Sequence, residues 1–171
     1  MTELRAVDLE RVMEALRQAP RPVSILWQEG DSLAFVARGR PHRSEFHIDP
    51  SDEVMHVLKG EMELHYLTSE GERQVVLVPE GGVIHCPAGT PHSPHFSGDS
   101  FLLVLERKRG PGEVDRFIWY CEKCNAPVYE TSRHVADYRD DPVSDVYVEF
   151  YDDVAHRTCP KCGHVDSKPA P

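Results

Sequence analysis

Three side chains in this sequence have the types and framing to close around a metal ion: His47, Glu53 and His92. His47 and Glu53 lie six positions apart in "EFHIDPSDEVMHVLKG", and His92 arrives from a second stretch, "GGVIHCPAGTPHSP". Two imidazoles and one carboxylate on a rigid frame leave coordination positions open, the arrangement non-haem Fe(II) uses to bring a substrate and O2 together. A second set consists of four cysteines in two pairs, "CEKC" (Cys121, Cys124) and "CPKC" (Cys159, Cys162). Thiolates at this doubled spacing describe a closed tetrahedral site for Zn2+ or Fe, and a short segment with little core of its own needs such a staple. The fifth cysteine, Cys86, reads as an inert buried thiol.

The elements that must carry these groups follow from the patterning. A chain of 171 residues suits one domain with a small appendage, and 40% hydrophobic with 28% charged residues suits a globular one. Its net charge of −10 disfavours nucleic acid and anionic membrane surfaces as partners. No apolar run approaches the roughly 20 residues a bilayer span requires, and "MTELRAVDLE" lacks a basic start followed by an apolar stretch. A cytoplasmic protein is the expectation, and there paired cysteines indicate metal rather than disulfides.

Leu9, Val12, Met13 and Leu16 recur at helical spacing, so an amphipathic helix is expected from Val7 to Gln18, stopped by "APRP". From Ser24 onward short apolar or alternating runs take over, from "SILWQEG" and "SLAFVARGR" to "SFLLVLER". Turn signals separate them at Gly30, Lys59-Gly60, Gly71, Gly81-Gly82 and Gly98-Asp99. Many short strands with regular turns predict a mainly β sandwich or barrel. "KRGPGEVD" marks a boundary near residue 110, which divides the chain into a helical start (1–22), a barrel (23–110) and a metal-binding segment (111–171). In the last of these "DVYVEFY" alternates and is expected to be a strand.

The two histidine stretches are framed as His47-x-Asp49-x3-Glu53-x6-Gly60 and Gly81-x5-Pro87-x-Gly89-x2-His92. These frames resemble the paired motifs of the cupin superfamily, whose fold is a double-stranded β-helix (jelly-roll) barrel. One place departs from that pattern: Asp49 stands where a second histidine is usual, and Pro50 after it favours a turn, which leaves a three-ligand site. Together with "WYCEKC" and "CPKCGH", the chain resembles the bacterial 3-hydroxyanthranilate 3,4-dioxygenases, cupins with a rubredoxin-like four-cysteine metal site at the C-terminus. The resemblance runs from about Trp27 to His164 and is strongest in "HRSEFHIDPSDEVMHVLKG", "PAGTPHSP" and "LLVLERKR".

The resemblance implies Fe(II) at His47, Glu53 and His92, Fe or Zn at Cys121, Cys124, Cys159 and Cys162, and O2 as co-substrate. It implies that Arg43 orients the substrate and that Glu106 faces it and serves in acid–base work. The product would be 2-amino-3-carboxymuconate semialdehyde, which closes to quinolinate on the route from tryptophan degradation to NAD. A homodimer is the implied assembly. One position fails to match: Phe96 occupies the place of an arginine that usually pairs with the substrate carboxylate, and strand alternation turns its neighbour His95 the other way. That mismatch leaves open a related 2-aminophenol as substrate, and a metal-binding cupin without catalysis is a third reading.

Overall fold

Asp8 starts the first helix. Its carboxylate accepts a hydrogen bond from the Arg11 amide at 3.2 Å, and helix α1 follows as Leu9–Gln18. In the computed structural model, which describes residues 4–40, 42–140 and 142–168, Met13 and Leu16 of α1 are buried beside Val36 and Phe101. The helix thus lids one end of a β structure. Among the described residues nine strands succeed it: β1 (Val23–Glu29), β2 (Ser32–Arg38), β3 (Glu45–Ile48), β4 (Glu53–Leu67), β5 (Arg73–Pro79), β6 (Val83–Cys86), β7 (His92–Arg107), β8 (Asp115–Tyr120) and β9 (Pro127–Arg133). All their pairings are antiparallel, in the path β1-β2-β7-β3-β8-β9, with β4 bonded to β5, β6 and β7. This is the mainly β, double-stranded β-helix architecture expected of a cupin.

β4 and β7 give the fold its shape. They pair along their whole lengths, from Glu53 opposite Glu106 to Tyr66 opposite His92. A straight strand of 16 residues would hold its ends about 50 Å apart. Here Glu53 reaches both His92, at one end of β7, and Glu106, near the other. The two strands must therefore curl together, and they do so where the register slips, between Val57 and Glu61. Gly60 permits the bend: its φ is +79°, and a Cβ there would lie 2.2 Å from Ser100 Oγ. The expected turns at Lys59-Gly60 and Gly98-Asp99 are corrected accordingly. Both lie inside continuous strands, face each other across the bend, and are tied by Lys59 Nζ to Asp99 Oδ2 at 2.8 Å.

Beyond residue 110 the sheet continues, because β8 pairs with β3 on one side and β9 on the other. A 3-10 turn (Tyr138–Asp140) then leads into helix α2 (Pro142–Asp152) and the short α3 (Val154–Arg157). The expected strand "DVYVEFY" lies within α2. Val146 and Phe150 are both buried, four residues apart, and this helical stripe overrides the apparent alternation. Phe150 stacks on Trp119 of β8 with ring centroids 4.4 Å apart, so the helix closes onto the sheet through a second, aromatic core.

Candidate active site

Two cross-strand pairs build the site. His47 of β3 stands opposite His92 of β7, and Glu53 of β4 stands opposite Glu106 of β7. His92 and Glu106 are an even number of positions apart on β7, which suits two side chains on one face, and the curl of β7 brings them together. One donor atom from each of His47, Glu53 and His92 lies within 4.8 Å of the others. His92 Nε2 is 3.1 Å from Glu53 Oε1, and its Nδ1 faces the Thr90 carbonyl at 3.0 Å, which aims the ring at the carboxylate. His47 is stacked on Phe117 at 4.9 Å. Cys86 is buried as expected, its Sγ 3.4 Å from His92 Nδ1.

These residues fit a metal ion. Glu53 Oε1 is buried, and no hydrogen bond satisfies it even with His92 so close. A buried acceptor facing two imidazoles suits a cation held between them. Asp49, at the place of the absent histidine, is committed elsewhere: it accepts hydrogen bonds from the Ser51 amide at 2.6 Å and from Arg109.

Arg109 organises the floor of the site. Its buried guanidinium binds Asp49 and Asp115, and reaches Glu106 Oε2 at 2.9 Å. Asp115 in turn lies 3.0 Å from His47 Nε2, a carboxylate–histidine pairing that orients a ligand ring. Tyr138 covers the guanidinium, which sits 5.2 Å from the ring centroid.

The two facing carboxylates are driven apart in acidity. Burial alone would raise Glu53, but His92, His47 and Arg109 outweigh it and hold it down to about 2. Burial, a hydrogen bond with Asp49 and the Glu53 charge push Glu106 well above the ordinary carboxylate range, against the pull of Arg109. Groups pushed apart in this way can divide acid and base roles between them. Asp115 is lowered although burial opposes it, through its bonds to His47 and Arg109.

One cavity opens onto His47, Glu53, His92 and Glu106. Arg43 and Phe96 line it too, as do Phe35 and Tyr138, so the three expected metal ligands meet Arg43, Phe96 and Glu106 here. Arg43 Nε lies 2.9 Å from the buried Glu45, whose other oxygen accepts a hydrogen bond from Tyr147. His95 does not line the cavity. Its ring packs 4.1 Å from that of His65, and burial and the His65 charge hold it down to about 4. It is neutral and faces away, so it does not replace the cation missing at Phe96.

Sequence reasoning missed Arg109, Asp115, Tyr138 and Arg40, all of which belong to this neighbourhood. Arg109 hides in the basic run "ERKRG", and Asp115 in what reads as a linker. The usable signal was position: Arg109 stands three residues beyond Glu106, close enough to turn back onto it.

The four cysteines converge separately. Sγ atoms of Cys121 and Cys162 are 3.6 Å apart, and those of Cys124 and Cys159 are 3.5 Å apart. Four thiolates about 2.3 Å from one tetrahedral ion would be about 3.8 Å apart. The two knuckles are built alike. Asn125 donates to the Cys121 carbonyl and Gly163 to the Cys159 carbonyl, each at 2.9 Å, with φ of 57° and 72°.

The family model for 3-hydroxyanthranilic acid dioxygenase matches residues 1–151. The chain is 37% identical over 150 residues to a 3-hydroxyanthranilate 3,4-dioxygenase of Bacillus thuringiensis, with 88% of this chain and 83% of that one covered. It is 36% identical to the enzyme of the same name from Paraburkholderia phytofirmans, covering 82% and 80%. Among solved structures it is similar to a cupin-2 domain containing protein from Shewanella frigidimarina, at 15% identity and a TM-score of 0.48, covering 59% of this chain and 93% of that one. On the family match and the identity to these relatives, the chain belongs to the 3-hydroxyanthranilic acid dioxygenase family.

Proposed function

We infer that this protein is a metal-dependent dioxygenase that opens the aromatic ring of 3-hydroxyanthranilate and inserts both atoms of O2, giving 2-amino-3-carboxymuconate semialdehyde. The observation that carries this reading is the convergence of His47, Glu53 and His92 with Arg43 and Glu106 in one aromatic-lined cavity. Fe(II) held by His47, Glu53 and His92 would supply the electron transfer that lets O2 react with an aromatic ring, which side chains alone do not provide.

The chain's own residues do the rest. Phe35, Phe117 and Tyr138 give the cavity apolar walls that exclude water and hold a flat ring. Arg43, braced by Glu45, presents a cation toward the substrate. Glu106, held above the ordinary carboxylate range by burial and Asp49, is placed to hold or exchange a proton at the ring substituents. Asp115 and Arg109 keep His47 and Glu106 in place. The four-cysteine site would hold Fe or Zn as a structural staple.

We further propose a cytoplasmic homodimer. Thiolate metal sites persist in a reducing compartment, and no helix among the described residues is long and apolar enough to cross a membrane. Among the described residues β5 bonds only to β4 and exposes Val75 and Leu77, with Val83 of β6 exposed as well; a second copy would cover these.

Anaerobic titration of the iron-loaded protein with 3-hydroxyanthranilate, followed by admission of air, tests the activity. One O2 consumed per ring opened is the expected result. Saturable binding without O2 uptake would overturn it.

A further inference from the structure

The stretch after the second cysteine knuckle carries donor groups that the proposed reaction does not use. We propose that Glu122, His164 and Asp166 form a third metal position, beside the four cysteines, for a divalent cation that prefers nitrogen and oxygen ligands.

Backbone pairing sets two of the three donors on one side. Thr158 and Val165 form an antiparallel bridge, the Cys159 amide donates to the His164 carbonyl at 2.7 Å, and the Asp166 amide donates to the Arg157 carbonyl at 2.9 Å. His164 and Asp166 lie two positions apart along this bridge, the spacing at which extended chain turns side chains to a common face, while Val165 between them is exposed. Glu122 comes from the first knuckle, between Cys121 and Cys124. One donor atom from each of Glu122, His164 and Asp166 lies within 4.8 Å of the others, the same convergence that His47, Glu53 and His92 show in the barrel.

Asp166 is 5% exposed, and no hydrogen bond among the described residues satisfies its buried Oδ1. His164 Nε2 lies 3.4 Å from that oxygen, much as His92 Nε2 lies 3.1 Å from the unsatisfied Glu53 Oε1. Arg157 does not fill the gap, because its Nη1 donates to the Asp166 main-chain carbonyl at 2.5 Å. Burying one carboxylate beside another is costly unless a cation joins them. An imidazolium brings one charge against two, whereas a divalent ion balances both and takes the neutral ring as a ligand. Glu122 is exposed, so water can complete the coordination shell. Glu122 and Asp166 also line a cleft that reaches Tyr120 of β8 and Tyr151 of α2. An ion held there would fasten the second knuckle against the end of β8.

Anaerobic Mn2+ binding to the protein with its barrel and cysteine centres loaded tests this. Mn2+ stands lowest in the divalent affinity series and prefers carboxylate to thiolate, so it displaces neither Fe(II) from the barrel nor the metal from the cysteines. One saturable Mn2+ per chain is expected, counted from the loss of the free ion's paramagnetic resonance signal. Glu122→Gln and Asp166→Asn should each weaken it at least about tenfold, the loss expected even for a partner that merely orients a ligand. Metal analysis should show the other two centres retained. Glu122→Gln alters an exposed side chain, which preserves the test if the Asp166 variant folds poorly. No saturable Mn2+ in the wild type, or binding that both variants leave unchanged, would overturn the site.

Discussion

Four cysteine sulfurs face one another in pairs at 3.5 and 3.6 Å in the cysteine centre, whereas the three proposed barrel ligands share their space with Asp49, Asp115, Glu106 and Arg109. The cysteine centre is made of two short knuckles, each closed by its own backbone hydrogen bond. The barrel site is made of single residues from β3, β4 and β7, held by long-range register. A closed site of like ligands has no position left for a substrate, so a metal held there would contribute to folding. An open site inside an aromatic cavity contributes to chemistry, and its charged neighbours tune it.

The comparison breaks most sharply at the ligands themselves. His92→Ala or Glu53→Ala should empty the barrel site and lower O2 uptake at least about a thousandfold, about 4 kcal/mol of barrier. The cysteine metal should remain, as metal analysis of the purified variant would show. Full occupancy with unchanged turnover would remove His92 from the site.

Cys121→Ser addresses the other centre. Loss of a structural metal should cost about 3–4 kcal/mol and lower the thermal midpoint by about 10 °C, since 1 kcal/mol moves a chain of this size by about 2–4 °C. Turnover per barrel metal should stay within about threefold, as for a site that touches no substrate. A variant that kept its midpoint and lost ring opening would make the cysteine centre a partner in the reaction.

Smaller effects sharpen the role of the charged neighbours. Asp115→Asn keeps the shape beside His47 but removes the charge that orients it, and should weaken barrel metal binding about 10- to 100-fold. The cysteine centre should not respond. Chelator competition on both sites in one sample would measure the two affinities, and equal losses would mean that Asp115 only supports the fold.

The smallest expected effect is on pH. Burial opposes a charge on His92, but Glu53 stabilises its imidazolium and raises its pKa well above 6.5. Metal binds the neutral ring, so this proton must leave first. Barrel affinity should therefore rise with pH between about pH 6 and 8, by at most about tenfold per unit for one proton. A flat profile would show that His92 is already neutral in the metal-free protein.

Short-range chemistry was written plainly in the sequence. Asp8 and the apolar stripe of α1, the doubled cysteine spacing, and the frames around His47, Glu53 and His92 each depend on residues a few positions apart, where spacing alone determines which side chains share a face. Even the isolation of His95 followed from alternation next to Phe96. Tertiary structure decided the rest. Gly60 and Gly98 read as turns because glycine marks both turns and bends, and only the pairing of β4 with β7 shows the strand running through. "DVYVEFY" satisfies both a strand and a helix pattern until Trp119 offers Phe150 a stacking partner. Arg109 and Asp115 look like surface charges in a linker, yet both are buried, because β8 returns to pair with β3 and carries Asp115 beneath His47. A residue's type sets the chemistry it can do; which buried charge it meets depends on contacts that no local spacing records.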